Sequence, residues 1–190
     1  MNRTFLLSIL FIPFLMCFRT PHSRPIPEIR YEDKIRVKEA VSISKLYGEK
    51  IWKGWDSAPF AILLVTDENE YLINHPAPSE EFTLAYFDSI LNTDIYKRPR
   101  KFSNNLLATF PAVGSLPVIV IGLPENTSRT SVDWIITMLH EHFHQYQYSQ
   151  ADYQASVNSL ELSGGDQSGM WMLNYPFRIM MIKFRSSTQH

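Results

Sequence analysis

A single cysteine, Cys17, is all the thiol chemistry in this 190-residue chain, and it lies in an apolar N-terminal run. A disulfide framework and a cysteine-based zinc site are both excluded, so any metal must be held by His, Glu or Asp. An excess of one charge is missing too. Eighteen Lys and Arg face 19 Asp and Glu, a formal net charge of −1, and that leaves no electrostatic footprint for a nucleic acid or another polyanion. Internal repeats and low-complexity segments are absent. What remains, 45% hydrophobic and 13% aromatic residues, is enough for one domain with a substantial core.

The N-terminus reads as an export signal. Arg3 supplies a positive start, and Phe5 to Phe18 form an apolar stretch broken only by Ser8 and Pro13. That stretch is short for a membrane-spanning helix. Residues 1–23 are therefore expected to be a signal peptide or an N-terminal anchor, with cleavage near Ser23. Phe14-Leu15-Met16-Cys17 resembles a lipobox with a large residue, Met16, where a small one is usual. The Pro-rich segment from Thr20 to Pro27 detaches this region, giving a linker at 24–32, a domain at 33–175 and an atypical tail at 176–190. No acidic residue follows Asp166. The tail is compatible with a short amphipathic element or with a truncated domain. The expected location is secreted or otherwise extracytoplasmic, with membrane contact only through an uncleaved N-terminal segment.

Periodicity predicts an amphipathic helix over 33–52, its apolar stripe formed by Val37, Ala40, Val41, Tyr47 and Ile51. Phe60 to Val65 suits a buried strand, Asp67 to Glu70 a polar turn, and Tyr71 to Ile73 the returning strand of a hairpin. Glu80 to Leu91 is compatible with helix or strand. Leu106 to Phe110 and Val118 to Ile121 read as two strands, separated by Pro111, Gly114 and Pro117. A long helix follows, running uninterrupted by Pro or Gly from Ser131 to Ala151, and a second spans about Ala151 to Leu162 before Gly164-Gly165. The order implies an α+β fold, a small mixed or antiparallel sheet packed on these two helices.

The long helix carries the chemistry. His140-Glu141-His142-Phe143-His144 is a His-Glu-x-x-His motif. A helix places residues four apart on one face, so the imidazoles of His140 and His144 can converge on one metal ion. Glu141 then lies beside the open coordination position, placed to take a proton from water. Thr130-Ser131-Val132-Asp133 resembles a capping box with Asp in place of Glu. Trp134, Ile135, Ile136, Met138, Leu139 and Phe143 leave no face of the helix polar, which predicts burial all round. Such burial makes unpartnered His and Glu costly, and a cation would offset that cost. His142 projects to another side and is expected to be supporting or structural.

A hydrolytic zinc centre takes three protein ligands and keeps one position open. Gln147 and Gln150 stand where a metzincin would continue with Gly and His, so the third ligand should be a downstream carboxylate. Glu161 is the first choice, since a helical hairpin turning near Ser149–Asp152 would lay it over the motif. Asp166 and Asp152 are the alternatives. Tyr153, Tyr175 and His142 are candidate donors for an oxyanion. An extended peptide substrate could add to the free edge of the Leu106–Phe110 or the Val118–Ile121 strand. His75, Trp52, Trp55 and Trp171 are more readily explained as exposed loop or aromatic core, and Asn126-Thr127-Ser128 is a glycosylation sequon only in a glycosylating host.

Leu139 to Gln145, with the strands before it, resembles the zinc metallopeptidases of the zincin group, in particular the gluzincin or peptidase-MA-like branch, over about residues 58–165. The resemblance implies a zincin-like fold, a bound Zn²⁺, His140 and His144 as ligands, Glu141 as general base, and a Glu on the next helix, Glu161, as third ligand. Gly165 stands where that branch often has a supporting acid. The expected function is a secreted zinc-dependent peptidase acting on peptide or protein substrates. The alternative is a non-catalytic or truncated metal-binding relative.

Overall fold

The apolar run at 60–65 becomes the centre of the molecule. The computed structural model describes residues 29–159 together with 164 and 165. The elements in order are α1 (Tyr31–Ile51), a 3₁₀ turn (Trp55–Ser57), β1 (Ile62–Val65), β2 (Asn69–Ile73), β3 (Thr83–Asp88), β4 (Thr93–Pro99), β5 (Leu107–Val113), β6 (Leu116–Gly122), α2 (Ser131–Ser149) and α3 (Tyr153–Ser159). The strands form one six-stranded mixed sheet in the order β3-β4-β2-β1-β6-β5. Among the described strands only β1 and β6 pair in parallel, Ile62 opposite Ile119 and Leu64 opposite Ile121; the other pairs are antiparallel. The chain is thus an α+β protein.

β1 is buried at every position because both its faces are covered. Alternation sends Ile62 and Leu64 to one side, where they meet Ile73, Ile119 and Ile121 and the helix residues Val37, Ala40, Trp134, Ile135 and Met138. Ala61, Leu63 and Val65 face the other way, into a second cluster with Leu72, Phe82, Val118 and Val120, flanked by Phe102 and Phe110. Ion pairs fix the periphery. Lys34 on α1 meets Asp88 at the end of β3 at 2.8 Å. Arg98 reaches Glu70 at 2.7 Å, a pair buried between β4 and β2.

Several expectations are corrected. Glu80–Leu91 resolves as strand β3, and β4, not anticipated at all, pairs it to β2. The two later strands form one hairpin, turning at Gly114 with a left-handed φ of 62°. Pro111 lies inside β5, tolerated because β5 is an edge and the register shifts there. On α1 the buried stripe runs Val37, Ala40, Ser44, Gly48, leaving Tyr47 and Ile51 exposed, because Gly48 lets the Asp56 turn approach. Helix α2 is one-sided rather than buried all round: Val132 is 64% and Ile136 57% exposed on the outward stripe that leads to His140.

The expected second helix is shorter within the described residues, Tyr153–Ser159. Residues 1–28, the expected signal and most of the linker, lie outside them, as do Glu161, Asp166, Trp171, Tyr175 and the tail. Among the described residues no helix is long and apolar enough to cross a membrane.

Candidate metal centre

α2 starts where its sequence says it should. Thr130 is the N-cap, its Oγ1 accepting from the Asp133 backbone N–H at 3.2 Å and lying 2.7 Å from the Asp133 carboxylate. Trp134, one turn in, donates its indole N–H to the Gly122 carbonyl at 2.8 Å, which ties the helix to the end of β6. Position 122 admits only glycine: a Cβ there would stand 1.8 Å from the Asn104 carbonyl oxygen. These two anchors set the rotation of α2, and that rotation decides which motif side chains face the sheet.

His140 is exposed, His144 half-buried and Glu141 buried, so the motif sits at the rim where α2 passes beneath the sheet edge. The ligand atoms of His140, Glu141 and His144 lie within 4.8 Å of one another, a group that could hold a metal ion. The two Nε2 atoms are 3.0 Å apart. Tetrahedral zinc ligands at about 2.0–2.1 Å stand ~3.3 Å from one another, so the imidazoles need only a small adjustment to share an ion. The residues present fit such a group.

Glu141 is held from the sheet. Thr109 on β5 places its Oγ1 2.7 Å from the Glu141 carboxylate Oε2 and 3.0 Å from the carbonyl oxygen of the same residue. One hydroxyl hydrogen is thus directed at two oxygens of a single residue, which fixes the carboxylate beside the histidine pair. His144 is braced as well: its Nδ1 meets the Gln147 amide oxygen at 2.7 Å.

His142 points the other way. It is 1% exposed and its ring stacks on Phe60 at 4.2 Å between centroids, with Trp55 at 5.9 Å. Burial pushes its pKa down from the ordinary 6.5 to about 4, with a smaller opposing contribution from Gln145, so the ring is neutral near pH 7. Its partner is fixed by the sheet. The Gln145 amide nitrogen donates to the carbonyls of Ala61 and Pro117, both at 2.9 Å, where the paired strands β1 and β6 begin. That leaves the amide oxygen for His142 Nδ1 at 3.1 Å. His142 is therefore a core group turned away from the cluster, which corrects the expectation of an oxyanion donor there.

The remaining candidates sort simply. Asp152 is exposed and lies outside the cluster, and Tyr153 packs edge-on against Tyr148. His75 accepts from the Ala77 N–H at 3.2 Å, lies against the Val113 backbone at the end of β5, and is outside the cluster. Trp52 and Trp55 both pack edge-on to Phe143, supporting the motif helix from behind. Val118–Ile121 is interior to the sheet, so among the described strands only β5 offers an edge near the motif. Sequence reasoning missed Thr109, Gln145 and Gln147. The two glutamines were discoverable, since each stands three residues after a histidine on a helix, a spacing that brings side chains together. Thr109 carried no such signal.

No family model, curated protein or solved structure matches the chain. The functional reading rests on the site itself.

Proposed function

We propose that the protein is an exported zinc-dependent peptidase of zincin type. The observation that carries this reading is the convergence of His140 and His144 Nε2 at 3.0 Å beside a buried carboxylate, Glu141, clamped by Thr109. A zinc ion bound there supplies Lewis acidity, which polarises a substrate carbonyl and makes water easier to deprotonate. Glu141 is the general base: it receives the proton of the attacking water and passes it to the departing amine. Thr109 keeps the carboxylate aimed during both transfers. An extended peptide adds to the outer edge of β5, the strand that carries Thr109, so substrate alignment and base alignment share one element. Glu161 is the proposed third ligand.

The expected result is about one Zn²⁺ per chain, lost in His140→Ala and in His144→Ala. Metal analysis of the purified proteins checks it, alongside hydrolysis of an unstructured protein substrate that a chelator stops and added zinc restores. Unchanged zinc in both variants would remove the site. One observation favours a second reading, a non-catalytic metal-binding relative: among the described residues no carboxylate other than that of Glu141 joins the two histidines. Zinc retained with no hydrolysis of any peptide library would favour it.

Export rests on Arg3 and the apolar Phe5–Phe18 run. Cell fractionation should recover the chain outside the cytoplasm. Recovery as a soluble cytoplasmic protein still carrying Met1 would contradict it.

A further inference from the structure

The histidine pair is not symmetric. His144 has a partner on each ring nitrogen, Gln147 Oε1 at 2.7 Å on Nδ1 and His140 at 3.0 Å on Nε2. His140, the more exposed of the two, has only the His144 contact among the described residues. An amide oxygen can only accept, so Nδ1 of His144 carries the hydrogen and its Nε2 presents a lone pair. That is the form in which an imidazole ligates a metal. His140 has no such acceptor on Nδ1 among the described residues, so only His144 has its tautomer selected in this way.

We propose that Gln147 is a positioning residue: it fixes His144 in the ligand-ready tautomer, with the hydrogen on Nδ1 and the Nε2 lone pair turned to the ion. This rests on the zinc reading for its use, but the tautomer is a property of the metal-free chain. The helix repeats the device on its other side, where Gln145 meets His142 Nδ1. The two differ in what orients the amide. Two backbone carbonyls dictate that of Gln145, whereas among the described residues Gln147 is oriented by His144 alone, and so reversal of its amide is the specific way the proposal fails.

The test uses the full metal-free chain with ¹⁵N-labelled histidine, at a pH where both imidazoles are neutral. Long-range ¹H–¹⁵N spectra should show His144 protonated at Nδ1. Gln147→Leu should abolish the His144 preference and weaken Zn²⁺ binding by about 10–100-fold, while Gln147→Glu, which keeps the acceptor, should restore both. Gln147 is only half-buried, and equal urea midpoints would show the variants folded. His144 protonated at Nε2 in the wild type would overturn the proposal, as would an unchanged tautomer and affinity in Gln147→Leu. A wild type with His144 protonated at Nδ1 but no zinc affinity would refute the zinc reading and leave the tautomer assignment standing.

Discussion

Glu141→Gln is expected to keep zinc at the wild-type level while turnover falls by about 10²–10⁴-fold, the usual contribution of a positioned general base. The substitution is a clean one in this setting. Thr109 Oγ1 reaches Oε2 at 2.7 Å, and the oxygen of a glutamine amide can accept that same hydrogen, so the side chain should stay in place. Neither histidine side chain is hydrogen-bonded to Glu141, and His144 is braced by Gln147 instead. What disappears is the negative charge and, with it, the ability to accept a proton. Because the interaction is made with the transferring proton, the loss belongs in kcat and kcat/KM together, with KM little changed. Equal turnover by wild type and variant at equal zinc occupancy would rule out the assignment of Glu141 as base.

The second large effect is on stability and concerns the histidine outside the site. His142 has its pKa pushed down from the ordinary 6.5 to about 4 by burial against Phe60 and Trp55. The folded state prefers the neutral ring, so the unfolded chain binds more protons wherever the pH lies between those two values. Stability therefore increases with pH across that window. The His142 contribution is fully present above about pH 6.5 and is lost as the pH falls toward 4. Its size is of order 3 kcal/mol, a large share of a typical domain's stability. Burial also pushes His75 down, and that group slopes the same way, so the effect is read as a difference. Urea unfolding of the metal-free wild type and of His142→Phe, which keeps a ring on Phe60 but cannot titrate, should give different slopes between pH 7 and pH 4.5, the wild type losing more. Parallel slopes would show that His142 is not the group responsible.

How much of this was legible in advance differs from element to element. The motif helix, its Thr130 cap and the i, i+4 convergence of His140 and His144 are local, set by hydrogen bonds and spacing within one turn or two, and they stand as read. The β1–β2 hairpin was legible for the same reason, an apolar run, a polar turn and a return. β4 was not. Its residues, Thr93 to Pro99, carry Asp94, Lys97 and Arg98, and they form a strand because β2 and β3 flank them and because Arg98 finds Glu70. The stripe on α1 slipped for a related reason: hydrophobicity favoured Tyr47 and Ile51, but close approach of the Asp56 turn needed the missing side chain of Gly48.

The sequence alone determined that a metal, if present, is held by His and carboxylate, that the two outer histidines share a helix face, and that the chain is α+β. These follow from composition and from periodicities of a few residues, which any context must respect. The tertiary structure decided the rest. The rotation of α2, set by Trp134 on Gly122 and by Gln145 on the strand starts, sent His142 into the core and His140 to the surface. The pairing of β5 at the sheet edge brought Thr109, 32 residues away, onto Glu141. Contacts of that kind depend on which surfaces are left to be buried once the sheet has closed, and no local pattern in the chain encodes them.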